Sequence, residues 1–170
     1  RLRPEAEDPK NYISGIACDH YNRFREDFDI AKSLHHNTHR FSIEWSRIEP
    51  EEGKFDEAAI AHYREVLYAL HERGLEPFVT LWHWTLPLWL RDKGGVASKE
   101  FPTHFERYTR YVVAKLNAQV KFWIPLNEPT SVIAGSYTTG QWPPQKKNYF
   151  LAHRVYKILA DAHRRDYHAI

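Results

Sequence analysis

The chain has 170 residues and a formal charge of +2, with its Lys and Arg scattered; it is the size of one domain, and its charge argues against a nucleic-acid partner. No stretch approaches the roughly 18 apolar residues of a membrane span, so no membrane partner is expected. A single cysteine, Cys18, excludes an intrachain disulfide and is assigned to packing; a reducing or indifferent compartment fits, and a cytoplasmic location is the expectation. Methionine is absent, and Arg1 to Lys10 is charged with no apolar run, so the sequence is expected to be a piece of something longer, or one whose start was removed.

Taken in chain order, the apolar pattern switches repeatedly between helical and strand periods. Asp19 is placed to cap a helix reaching about His36, with Phe24, Phe28 and Ala31 on one face. Thr38 to Trp45 reads as a strand, and Glu49-Pro50-Glu51-Glu52-Gly53 as a loop. Asp56 caps a second helix that carries Ala59, Tyr63, Val66, Leu67 and Leu70 at helical spacing and stops at Gly74. Pro77 opens a second strand, Phe78 to Trp82. A third helix follows Pro102, with Phe105, Tyr108, Val112 and Leu116 facing inward, and a third strand spans Phe122 to Leu126. After a long loop containing Gly135, Gly140 and Pro143-Pro144, a fourth helix carries Leu151, Val155, Ile158, Leu159 and Ala162. The order αβαβαβα, with some 40 residues between strands, suits parallel strands joined by helical crossovers. Residues 1–170 are therefore read as a single α/β domain, expected to be a partial (β/α)8 TIM barrel of about three parallel strands and four helices.

Each strand ends in residues with chemical capacity. The first carries Arg40-Phe41-Ser42-Ile43-Glu44-Trp45, the second Trp82-His83-Trp84-Thr85, and the third Leu126-Asn127-Glu128-Pro129. In parallel α/β architectures the carboxyl ends of strands collect the active site, so Arg40, His83, Asn127 and Glu128 are expected on one rim. These residue types suit cleavage of a glycosidic bond. A sugar leaving group needs a proton from a carboxylic acid, for which Glu128 is the candidate. Asn127 can bond a hydroxyl beside the reacting carbon, His83 offers a donor and an acceptor, Trp84 offers a ring face, and Arg40 can aim a second carboxylate.

The segments Gly15-Ile16-Ala17-Cys18-Asp19-His20-Tyr21, Arg40-Phe41-Ser42-Ile43-Glu44-Trp45, His83-Trp84, Asn127-Glu128-Pro129 and Gly140-Gln141-Trp142-Pro143-Pro144 together resemble family 1 glycoside hydrolases, the β-glucosidase family. The likeness runs in order over nearly the whole chain. It implies a (β/α)8 barrel and retaining hydrolysis of small β-glycosides or oligosaccharides, with no cofactor and no metal. By matching position, Glu128 is the general acid/base, Asn127 the 2-hydroxyl contact, His83 and Trp84 glycone contacts, and Arg40 the residue that orients the nucleophile. Trp123 matches an aromatic near the acid/base turn.

The chain also departs from the family pattern. Pro125 stands where Thr is usual, Thr85 where Asp is usual, and Leu34-His35-His36-Asn37 replaces a turn with Gly. The family's nucleophile motif, Ile/Thr-Glu-Asn-Gly, does not occur, and neither does the first barrel strand with its sugar-binding Gln. A retaining mechanism needs two carboxylates about 5 Å apart. The chain alone is therefore expected to be inactive, and to need the missing barrel strands from the rest of the protein. Glu44 is read as a carboxylate hydrogen-bonded at the barrel mouth rather than a substitute nucleophile. The alternatives are a non-catalytic carbohydrate-binding remnant presenting Trp82, Trp84, Trp89 and Trp142, a metal site among the eleven histidines, disfavoured for lack of paired ligand spacing, and another barrel family with an Asn-Glu-Pro turn such as cellulases or xylanases, disfavoured by the co-occurring segments. His163 to His168 reads as a solvated basic face.

Overall fold

The computed structural model describes residues 15–170. Its strands are β1 (Thr38–Ser42), β2 (Glu76–Trp82) and β3 (Phe122–Leu126), parallel and in spatial order β1-β2-β3. The helices are α1 (His20–Ser33), α2 (Trp45–Ile48), α3 (Glu57–Glu72), α4 (Leu88–Asp92), α5 (Phe101–Leu116), α6 (Pro129–Val132) and α7 (Tyr149–Ala169). A π-helix, Ile133–Thr138, follows α6 directly. The long helices contact one another in succession, α1 with α3, α3 with α5, and α5 with α7. Strands in sequence order with successive crossover helices side by side form the wall of a (β/α) barrel, not a doubly wound sheet whose helices divide between two faces.

The apolar faces read from the sequence are the ones that build the core. Trp45, Trp82, Phe101, Phe105 and Tyr108 are fully buried between the sheet and the helices, with Trp45 stacked 4.8 Å from Tyr108. A second cluster joins Phe24, Phe28 and Ala31 of α1 to Val66, Ala69 and Leu70 of α3. Two buried carboxylates interrupt this apolar interior. Glu49 accepts from the Trp45 indole at 2.9 Å and the Gly53 amide at 2.7 Å, and pairs with Arg107. Asp166 on α7 accepts the Thr109 hydroxyl of α5 at 2.9 Å, and burial pushes its carboxyl up to about 8.

Several expected boundaries move, each for a local reason. Helix α1 stops at Ser33 rather than His36, because His35 takes a left-handed conformation (φ 61°) and the main-chain N–H groups of Leu34 and His35 close the end. Asp19 does not cap it: its backbone is left-handed and its carboxylate takes the Asn22 amide instead. β1 ends at Ser42, not Trp45, because Glu44 bends away to cap α2, accepting the Ser46 N–H. Asp56 caps α3 as expected, accepting from Ala58 and Ala59, and Gly74 follows it at φ 63°. The first part of the segment expected to be a long loop after β3 is α6 and the π-helix, whereas Gly140 and Pro143-Pro144 lie outside any helix; with α2 and α4, this gives seven α-helices among the described residues where four were expected. Cys18 is exposed rather than packed, and the run His163 to His168 is not wholly solvated, since Asp166 within it is fully buried.

Candidate active site

The carboxyl ends of the three strands converge on one hydrogen-bonded cluster. From β1, Arg40 donates through Nη2 to Asn127 Oδ1 at 2.6 Å and through Nε to Thr80 Oγ1 at 3.0 Å. From the end of β2, His83 Nε2 lies 3.1 Å from Asn127 Nδ2, and its Nδ1 lies 3.0 Å from Ser42 Oγ. From the end of β3, Asn127 is buried, and its own N–H donates to the Trp82 carbonyl at 2.9 Å, which fixes its height against β2. Asn127 thus ties all three strands together at the rim.

Donor chemistry sets the proton positions. A guanidinium only donates, so the Asn127 atom facing Arg40 is its carbonyl oxygen. Its amide nitrogen therefore faces His83, and Nε2 must accept. The Nδ1 of a neutral His83 then carries the proton and donates it to Ser42 Oγ. Asn127 spends one of its two amide hydrogens in this way, and Arg40 spends two of its five N–H donors.

Glu128 follows Asn127 directly, is exposed, and occupies the N-cap of α6 in the left-handed region (φ 44°). Pro129 behind it pre-sets the first helical residue. Trp84 is also left-handed (φ 79°), and its indole donates to the Asn127 carbonyl at 2.9 Å. Non-glycine residues held in this region cost energy and gather at functional sites. Trp84 is 36% exposed, whereas Trp82 is 1% exposed and belongs to the core. The Trp89 indole is spent on the Glu49 carbonyl. Trp142, 39% exposed, lies 5.0 Å from Trp84, so of the four tryptophans expected as a possible sugar surface, two reach the rim. Trp123 is half-buried against the core.

Glu44 accepts the Thr85 hydroxyl at 2.6 Å and the Ser46 hydroxyl at 2.8 Å, and its N–H donates to Tyr63 OH at 2.9 Å. It is a bonded carboxylate beside the rim, as expected. Burial pushes the Tyr63 hydroxyl up to about 12, so it stays protonated. Ser42, Thr80 and Thr85 had not been assigned roles from the sequence. Ser42 was legible in principle, because it shares its side of β1 with Arg40 two residues earlier. The partner of each hydroxyl was not legible, since each lies about 40 positions away on another strand. Pro125 sits where the β2–β3 register skips a pair, between Ile124 and Leu126, in keeping with its missing N–H. Among the described residues no group of three or more His, Cys, Asp or Glu is disposed to hold a metal ion.

Fold and rim together define a segment of a (β/α)8-barrel. The sequence matches the glycosyl hydrolase family 1 profile over residues 3–170. It is similar to β-glucosidase A of Thermotoga maritima, 39% identical over 158 residues covering 92% of this chain and 35% of that protein. It is also similar to β-glucosidase 4 of Oryza sativa subsp. japonica, 36% identical over 91% of this chain and 35% of that one. The solved structure of a Thermotoga maritima β-glucosidase in complex with deoxynojirimycin superposes with a TM-score of 0.86 at 38% identity, covering 89% of this chain and 35% of that chain. The chain belongs to glycosyl hydrolase family 1, and it spans about a third of the length of these relatives.

Proposed function

We propose that residues 1–170 contribute the acid/base half of a retaining β-glycosidase as a single partial catalytic domain. The observation that carries this reading is Asn127, bonded to Arg40 and His83 at the rim of a family 1 chain, with Glu128 next to it. In the first step Glu128 gives its proton to the bridging oxygen as the C1–O bond breaks, and a nucleophilic carboxylate from outside these residues forms an ester at C1. In the second step the Glu128 carboxylate takes a proton from water, whose oxygen attacks C1 and releases the nucleophile. Asn127 offers its remaining amide hydrogen to the sugar 2-hydroxyl, where the bond strengthens as charge develops. His83 and Trp84 hold the glycone, and Arg40 steers the nucleophile. The substrates are small β-glycosides or oligosaccharides, with no cofactor. The lone cysteine accords with a cytoplasmic setting, and among the described residues no helix is long and apolar enough to cross a membrane.

In a polypeptide that carries these residues together with the nucleophile strand, Glu128→Gln is expected to lower hydrolysis of an alkyl β-glucoside by about 10²–10⁴-fold. The first step on a dinitrophenyl β-glucoside, whose leaving group needs no proton, is expected to be spared more. Equal turnover by parent and variant on both substrates would overturn the assignment. Residues 1–170 alone are expected not to turn over a nitrophenyl β-glucoside, and robust Glu128-dependent hydrolysis by them would refute that point. The exposed Trp84–Trp142 pair favours one second reading, a binding module without turnover. Titration of the chain with cellobiose, followed by tryptophan fluorescence, separates the two: saturable binding, with no hydrolysis even when the nucleophile strand is present, selects the module.

A further inference from the structure

The π-helix Ile133–Thr138 carries a glycine, Gly135, with no need of unusual backbone angles. What excludes a side chain there is Trp142. A Cβ on Gly135 would lie 2.4 Å from Trp142 Cε3 and 2.5 Å from Cδ2. The main chain is fastened at the same point, since the Gly135 carbonyl accepts from the Gln141 N–H at 2.8 Å and the Trp142 N–H at 3.1 Å. Trp142 is thus seated, ring and backbone, on one residue of the π-helix. It also packs on Trp84, centroids 5.0 Å apart and planes tilted by 32°. Trp84 in turn donates to the carbonyl of Asn127, the peptide unit that leads into Glu128.

Two residues in this assembly, Trp84 and Glu128, hold left-handed conformations. Such residues persist only where their surroundings over-determine them, and π-bulges recur at functional sites. The Trp84 N–H bond alone does not fix the plane of its ring; a second indole against it does.

We propose that Trp142 is a positioning residue: seated on Gly135, it holds the Trp84 indole in place, and through the Trp84 N–H it holds the Asn127–Glu128 peptide. The functional meaning of this rests on Glu128 being the proton donor, but the geometry can be read without turnover.

The test is NMR on the ¹⁵N-labelled chain. In Trp142→Ala the Trp84 indole N–H is expected to exchange with solvent about tenfold faster, as befits losing most of one hydrogen bond's net strength. The Asn127 and Glu128 amides are expected to shift, while Val79 and Tyr108 in the core keep their protection. Trp142→Phe, which retains a flat ring, is expected to restore most of the slow exchange. Gly135→Ala removes no core contact and is expected to reproduce the effect by displacing the ring, so it decides the matter if Trp142→Ala fails to fold. Added to Trp142→Ala, it is expected to change nothing more, because both act through one contact. Unchanged Trp84 exchange in either single variant, or a Gly135→Ala effect that survives in full without Trp142, would overturn the proposal. Failure of Glu128→Gln to affect hydrolysis would sink the mechanism while leaving this packing result standing.

Discussion

Asn127 shows how one side chain can carry information for a whole site. Its two polar atoms differ, so a pure donor on one side and an imidazole on the other leave it a single orientation, and that orientation selects the tautomer of His83. Ser42 completes the chain by accepting from Nδ1. In Ser42→Ala, Asn127 and Arg40 keep their contact, so the His83 imidazole ¹⁵N resonances are expected to remain those of the Nδ1–H tautomer. A shift toward a mixture of tautomers would show that Ser42, and not Asn127 alone, fixes the ring. At this scale the sequence was informative about identity: Arg40, His83, Trp84, Asn127 and Glu128 were all named from strand ends and family resemblance, and the structure brings four of them into one bonded cluster with Glu128 adjacent. The hydroxyl partners Ser42, Thr80 and Thr85 were not, because a hydroxyl is chemically ordinary until its neighbour is known.

Elements divide by length. Helix α3 runs for 16 residues between a capping Asp56 and Gly74, and both ends were legible because each signal acts within one turn of itself. Helices α2, α4 and α6 have four, five and four residues, too short for a helical period to declare itself. The π-helix breaks that period altogether. Asp19 gives the opposite lesson: the right residue type for a cap stands there, but its carboxylate is bound to Asn22. Asp56→Ala is therefore expected to destabilise the chain by about 1 kcal/mol, and Asp19→Ala by much less. Urea denaturation of the two variants checks this, and equal losses would contradict the capping assignment.

At the scale of the molecule, the interface between α5 and α7 buries one carboxylate, Asp166, whose Oδ1 has no hydrogen-bond partner among the described residues. Burial is the main cause of its raised pKa of about 8; Glu106 raises it further, while Thr109 and Arg110 oppose the shift. The protonated acid is the form the fold prefers. The stability this contributes is fully present below the carboxyl's ordinary value near 3.8, and is lost as pH rises through about 8. Thermal melting is thus expected to fall between pH 5 and pH 9, by an amount that Asp166→Asn largely removes, since Asn keeps an acceptor for Thr109. A variant melting with the same pH slope as the parent would show that Asp166 is not the group responsible. The sequence placed this residue on a solvated face because its neighbours Arg164 and Arg165 are cationic. Helical geometry points Asp166 the other way.

The sequence by itself determined the class of fold, the three parallel strands and the residue types at their ends, because periodicity, caps and short motifs are local signals. Only the tertiary structure decided which hydroxyls and indoles serve those residues, which way the Asn127 amide faces, and which carboxylates are buried. Those outcomes depend on atoms about 40 or more positions apart meeting across strands and helices, and no local pattern encodes such a distance.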